Sequence, residues 1–405
     1  MAKFLFAWEL GGGLGHTLPL SQIARPLLFE GHDVHVALRD LSTAPAAFGA
    51  AIDHPGLYLW QAPVWLAALR GLPESATYAE LLFRAGFLDP QRLRGLVRGW
   101  RSLFRAIKPQ VLLVDHAPTA LLAARGQAMR TASIGTGFFL PPRTHPMPPF
   151  REWETIDPAR VRAAEEKALA TSNAVLAELR EAPLTRLHEL VAVDEPFLLT
   201  WPELDHYGAR TAEARYWGPL SSPAQGVDAV WADGDLPCVF AYLKGEYAAI
   251  EAVLGVLAEA PFRTLAYVSS LAPTMVARYG SKRLRLSPAP VNMAQVCEQA
   301  EVVICNAGSG TVTTVLHAGV PVVMLPMHAE QLLFSRRVEA TGAGILLTET
   351  DARKSLRIAL RRILVEPGYR QRARAFAAAH AADAGEDVAA AVAARCVALA
   401  AQTTG

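Results

Sequence analysis

Residues 301–331 read EVVICNAGSGTVTTVLHAGVPVVMLPMHAEQ. The block from Val302 to Cys305 is apolar without alternation, the pattern of a strand buried on both faces. NAGSGT then turns the chain on two glycines into a helical pattern, and VPVVMLP repeats the strand type before MHAEQ opens another helix. Strand, turn, helix and strand again is the unit of a parallel sheet with crossover helices.

The same stretch carries chemistry. Backbone N–H groups at a helix start, the positive end of the helix dipole and the hydroxyls of Ser309 and Thr311 together form an anion site suited to a diphosphate, with no lysine required. Glu330 and Gln331 fall in the next strand-to-helix loop, on the same edge of the sheet, where a carboxylate beside an amide can bind sugar hydroxyls in a forked way. GSG alone more often serves a tight turn. The combination with HAGVP and AEQ at this spacing is what makes the signal specific.

Outward from this stretch, the alternation is written twice. In the first half the strand-like runs are KFLFAWEL, DVHVAL, QVLLVDH and TASIGTG, with helical patterns over 17–30, 90–107 and 117–128. In the second half they are PCVFAYL, RTLAYVS, LRLSP, EVVICNAG, VPVVMLP and GILL. A chain of 405 residues exceeds one ordinary core, so an α/β protein of two domains is expected. YWGPLSSPAQGVDAVWADGDLP (216–237) lacks apolar periodicity and is the linker candidate. The expected division is a first domain over 1–220, a linker over 221–235, a second domain over 236–380, and an Ala-rich helix over 381–405 that packs back toward the first domain. DGD within the linker could pass for a metal-binding DxD, but before a strand it reads as a turn, and no metal is expected.

Composition narrows the function classes. With 39 basic and 38 acidic residues, a net charge of +1 gives no bulk attraction for nucleic acid or an anionic membrane. Cys238, Cys297, Cys305 and Cys396 show no CxxC or His–Cys spacing and read as reduced core residues of a cytoplasmic protein. The N-terminal apolar run meets Glu9 and glycines too early for a signal peptide, and no run reaches the roughly 18 apolar residues of a membrane span. A hydrophobic fraction of 52% leaves room for an apolar cleft or a peripheral membrane contact. The segment 137–154, with Phe138, Phe139, Phe150 and Trp153, is either a surface loop over buried aromatics or a pocket wall.

The 301–331 stretch resembles the donor-binding signature of the inverting glycosyltransferases that include the plant and bacterial natural-product enzymes and the macrolide glycosyltransferases. GGGLGHTLPL near the N-terminus, ARYWGPL before the linker and GAGILL after the donor motif sit where that family has them. The resemblance spans nearly the whole chain. It implies two Rossmann-like domains facing across a cleft, the glycosyltransferase-B fold, with a UDP- or TDP-sugar as co-substrate, no further cofactor and no metal.

By position, the resemblance implies that Asn306, Gly308, Ser309, Gly310 and Thr311 meet the donor diphosphate, Glu330 and Gln331 the donor sugar, and the segment from Val291 to Met293 the nucleotide base. Three departures stand out. Asn306 replaces the family's usual histidine, Thr314 its ribose-binding glutamate, and VNM its usual Pro-Gln. Lys244, in LKGEY after the first strand of the second half, is a candidate compensating cation for the diphosphate.

Glycosyl transfer with inversion needs a base of near-neutral pKa at the acceptor hydroxyl, and histidine suits that role. The family's base lies in an HxxP pattern after the first strand, and HTLP supplies His16 with Pro19. Asp115, ending QVLLVD, takes the position of the group that orients it. Strand alternation turns His116 away. The acceptor, a small apolar molecule, is expected against the first domain, with Trp60, Trp65, Phe138 and Phe139 as walls, and the protein is expected to be a monomer or homodimer. Three other readings compete: a relative of the lipid-linked N-acetylglucosaminyltransferase of peptidoglycan synthesis, which GGGLGH also resembles; a non-catalytic nucleotide-sugar or glycoside binder; and a two-Rossmann epimerase.

Overall fold

The computed structural model describes residues 1–403 except 66–68, 211–213, 221–225, 349–351 and 386. Five residues of the expected linker, 221–225, therefore lie outside the described residues. The chain divides into two compact units, 1–220 together with 387–405, and 221–386.

The first unit contains β1 (Lys3–Trp8), β2 (Asp33–Leu38), β3 (Leu57–Gln61), β4 (Val111–Asp115), β5 (Arg130–Gly135) and β6 (Glu195–Leu198). All neighbours are parallel, in the order β3-β2-β1-β4-β5-β6. β1, β2, β4 and β5 are the runs the apolar pattern predicts. β3 and β6 are not among them. Both are edge strands, and a half-exposed edge needs no continuous apolar run. β6 also carries Pro196, whose missing N–H is tolerated only at an edge or a bulge.

The helix Leu14–Phe29 buries Leu20, Ile23, Ala24 and Leu27, one face at three- and four-residue spacing. That face packs on Phe4, Phe6 and Trp8 of β1 and on Val392, Cys396 and Leu399 of the C-terminal helix Val388–Ala401. Each such large apolar side chain contributes about 1.5–3 kcal/mol through burial. Burial also pushes the Cys396 thiol up to about 12, so it packs as a small apolar group.

The second unit contains β7 (Cys238–Lys244), β8 (Arg263–Ser269), β9 (Leu284–Ser287), β10 (Val302–Cys305), β11 (Val322–Met324) and β12 (Gly344–Leu346), in the order β12-β11-β10-β7-β8-β9. All six coincide with predicted runs. Ala241, Leu243, Ala266, Ile304 and Val323 form one apolar face with Val253, Leu257, Leu356 and Leu360 from the helices Ile250–Glu259 and Ala352–Val365.

Each sheet has the doubly wound order. The chain runs outward one way from β1 and then, after a crossover, the other way from β4; β7 and β10 stand in the same relation. At such a reversal the loops after the two central strands diverge and leave a crevice, which is where open α/β sheets place ligands. The loop 9–13 and Asp115 occupy that point in the first unit. Lys244 and the turn 306–308 occupy it in the second.

Candidate active site

β1 ends at Trp8, paired in register with Asp115 at the end of β4. The glycine loop follows, and the first helix begins at Leu14, so His16 is carried over the end of β4. Its Nδ1 lies 3.1 Å from both carboxylate oxygens of Asp115, and both residues are buried. An ionised carboxylate only accepts hydrogen bonds, so this contact places the imidazole proton on Nδ1 and leaves Nε2 with its lone pair.

Nε2 points at the glycine loop. A Cβ on Gly11 would sit 2.0 Å from it, and Gly11 holds φ +91°. Gly13, with φ +75°, caps the helix start. Beside Gly12 there is open space. The run therefore has separate duties: Gly11 makes room for the imidazole, Gly13 lets the backbone turn into the helix, and Gly12 leaves the approach open.

Trp8 stacks on the His16 ring at 5.2 Å and 18°, and Phe139 borders it at 5.2 Å. His116 does not follow the alternation that would turn it away. The chain leaves β4 there with φ +47°, so the pleat no longer governs the side chain. Its ring stacks on Phe139 at 4.2 Å. Neither ring nitrogen has a hydrogen-bond partner among the described residues. Burial first, and then the His16 charge, push its pKa well below the usual histidine range, so His116 packs as a neutral ring.

The four expected acceptor walls separate. Phe139 is half-buried against His16, whereas Phe138 is buried behind it, stacked on Phe150 at 4.8 Å. Within the 137–154 segment, Phe138 and Phe150 are thus buried aromatics under the loop, while Phe139 faces His16. Trp60 sits on β3, its indole N–H donating to His35 Nδ1 at 3.1 Å, and Trp65 lies under the guanidinium of Arg92 at 4.5 Å. The sequence reading assigned no role to Trp8, which stacks on His16, or to the buried Glu9 beside it. A tryptophan and a glutamate ending a buried strand were the available signal.

In the second unit the turn after β10 is held by Asn306. The Lys244 backbone N–H donates to its Oδ1 and its Nδ2 donates to the Leu325 carbonyl, each at 2.8 Å. Asn306 thereby ties together the ends of β7, β10 and β11 and is itself buried. Ala307 takes φ +56°, and the helix Ser309–His317 starts at Gly308 with no side-chain cap. The hydroxyl of Thr314, at the position of the family's ribose-binding glutamate, turns back to the Gly310 carbonyl at 2.8 Å.

Lys244 is exposed beside this turn. Gln331 uses its carbonyl to accept the Met327 N–H at 2.8 Å, which steadies the start of its own helix. The Glu330 carboxylate lies 3.8 Å from His328 Nδ1. Val291 is buried, and Val227 bridges to the backbone on either side of it, donating its N–H to the Pro290 carbonyl and accepting the Asn292 N–H. Asn292 caps the helix Met293–Gln299 through Ala294 N–H, and Met293 is half-buried. Among the described residues no group of three or more His, Cys, Asp or Glu side chains is placed to hold a metal ion, and no helix is long and apolar enough to cross a membrane.

Comparison with known proteins extends this description. Residues 282–399 match the family of the erythromycin biosynthesis protein CIII-like C-terminal domain. A PGL/p-HBAD biosynthesis glycosyltransferase of Mycobacterium tuberculosis strain H37Ra is 27% identical over 324 residues, 73% of this chain and 73% of that protein. Among solved structures, the calicheamicin glycosyltransferase CalG4 superposes with a TM-score of 0.71 at 16% identity over 98% of each chain. VinC, a glycosyltransferase solved in complex with DTDP, does so at 0.65 and 17% identity, over 99% of this chain and 100% of its own.

Proposed function

We propose, from the premise that this chain is a glycosyltransferase-B enzyme of the family that includes the macrolide and other natural-product glycosyltransferases, that it transfers a sugar with inversion to a hydroxyl of an apolar small molecule. The observation that carries this reading is the His16–Asp115 pair, with Nδ1 engaged at 3.1 Å and Nε2 left as the base.

The acceptor O–H donates to His16 Nε2, and its oxygen attacks the anomeric carbon opposite the leaving group. The bond from that carbon to the diphosphate oxygen breaks, the configuration inverts, and the proton stays on the imidazole. Asp115 stabilises the imidazolium that results. In the second unit the uncapped amides of the helix Ser309–His317, the hydroxyls of Ser309 and Thr311, and the Lys244 ammonium supply the positive potential for the leaving nucleoside diphosphate. That potential serves the purpose a divalent cation would otherwise serve.

Asn306, with both ends committed to backbone, shapes this turn instead of supplying charge. Glu330 and the amide nitrogen of Gln331 are assigned to the sugar hydroxyls, and the 291–293 segment to the base. UDP and TDP are the two donor nucleotides to test first; the DTDP bound in VinC favours the second. Phe139 is the acceptor wall nearest the base.

The test is the stereochemistry of the product. With an α-linked UDP- or TDP-sugar and a panel of phenolic and aliphatic alcohols, NMR of the glycoside is expected to show the β-anomer. A retained α-anomer contradicts the reading.

A further inference from the structure

Glu9, a carboxylate the reaction does not use, is buried at the end of β1. Its Oε1 accepts the Thr119 hydroxyl at 2.8 Å and the Ala120 N–H at 2.7 Å, and its Oε2 accepts the Thr119 N–H at 3.1 Å. Those amides open the helix Pro118–Ala124, which has Pro118 first and no cap of its own. A residue 110 positions upstream therefore does what a local Ser or Asp would ordinarily do.

The neighbours of Glu9 give this clamp its meaning. Trp8, before it, stacks on His16. Leu10, after it, donates its N–H to the His116 carbonyl at 3.1 Å, and the Glu9 carbonyl takes the Arg39 guanidinium at 2.7 Å. Glu9 and Leu10 thus join the segment between β1 and the helix that carries His16 to the segment that follows Asp115, while Trp8 packs on His16 itself. Of the three, Glu9 holds the side-chain bonds that fix where the second segment becomes helix.

We infer that Glu9 is a positioning residue for glycosyl transfer, setting the registration of Asp115 against His16 through the start of the helix Pro118–Ala124. The inference rests on His16 being the base. A purely structural role fits less well, because the carboxylate is a poor choice for stability. Burial pushes its pKa up to about 7 against the hydrogen bonds that lower it, and the facing tyrosine, Tyr78, brings no positive charge. A group raised in this way contributes stability below pH 4.5 that is gone once pH passes about 7. At pH 8 the native state holds Glu9 ionised at a cost.

The experiment compares Glu9→Gln with the wild type at pH 8, alongside His16→Ala. The glutamine keeps one acceptor but sets an amide against a backbone N–H. Expected are a kcat at least tenfold lower, donor KM within twofold, an unfolding temperature no lower than wild type, and an acid limb of the kcat profile at least half a pH unit lower, since a loosened Asp115 stabilises the imidazolium less. Should Glu9→Gln fail to fold, Thr119→Val, which keeps the carboxylate but removes the hydroxyl that donates to Glu9 and accepts the Trp100 indole N–H at 3.0 Å, is expected to give a smaller change of the same kind, with Trp100→Phe as the control for the lost indole bond. Wild-type kcat and limb in the folded variant overturn the inference, as does a loss of rate matched by loss of folded protein with the limb unmoved. If His16→Ala keeps full activity, the proposed function fails; if it is inactive while Glu9→Gln is normal, only the role of Glu9 fails.

Discussion

His16 and Asp115 meet at 3.1 Å across 99 residues of sequence because β1 and β4 are neighbours where the sheet order reverses. The contact is bifurcated, one N–H to two oxygens, and buried on both sides. It fixes the tautomer and offsets the charge the base acquires.

Asp115→Asn keeps the shape and removes the charge. The amide can offer either a donor or an acceptor to Nδ1, so the productive tautomer is no longer enforced. A kcat loss of roughly 10²- to 10⁴-fold is expected, with donor affinity unchanged, read by steady-state kinetics beside calorimetric titration of the nucleoside diphosphate.

Gly11 and Gly12 are adjacent, yet alanine at each has a different consequence. Gly11→Ala places a methyl group 2.0 Å from His16 Nε2 at a backbone φ of +91°, so the imidazole must move. A kcat loss of about 100-fold or more is expected, since a displacement of about 1 Å is enough for that. Gly12→Ala meets open space and is expected to stay within a few-fold of wild type. Equal kinetics for the two variants would remove the duty assigned to Gly11.

Asn306→Ala leaves the Lys244 N–H and the Leu325 carbonyl without their 2.8 Å partners. An unsatisfied buried backbone group costs about 1–3 kcal/mol. A fall in unfolding free energy of roughly 2 kcal/mol or more is expected in denaturant titration, together with a raised donor KM as the anion-binding turn loosens.

His116 gives a pH dependence of known sign. Its pKa is well below the usual 6.5 in the folded protein because of burial and the His16 charge. The unfolded chain therefore binds more protons below pH 6.5, and stability is lost as the pH falls through that range. The groups around its ring are His16, Tyr78 and Phe139. His116→Phe removes the liability. Relative to wild type, the variant is expected to gain stability between pH 8 and pH 5.5 in urea titrations; the opposite trend of Glu9 is common to both proteins and cancels in the difference. A gap independent of pH would contradict the assignment.

The legible part of the fold followed burial. Strands inside a parallel sheet are apolar on both faces, so the four central strands of each unit can be read directly, and in the second unit the short edge strands β9 and β12 still carry Leu284, Leu286 and Ile345 as readable apolar residues. β3 and β6 escaped because edge strands carry mixed faces and, in β6, a proline. In the candidate site, His16 and Asp115 were named through the family resemblance, His16 by the HxxP pattern after the first strand and Asp115 by its place at the end of an apolar strand. His116 was misplaced because alternation was extended one residue past the strand, into a left-handed backbone. For Asn306, placed at the donor diphosphate through the resemblance, the sequence did not show the two hydrogen bonds its side chain makes to backbone at the ends of β7 and β11. Such tertiary partners leave no periodic trace in sequence.

The central claim is that His16 Nε2 takes the acceptor proton. Its most direct test is single-turnover glycosyl transfer by His16→Ala with donor binding measured on the same preparation. A rate lower by roughly 10²- to 10⁴-fold is expected, with the nucleoside diphosphate bound as tightly as by wild type. A rate within a few-fold of wild type would contradict the claim.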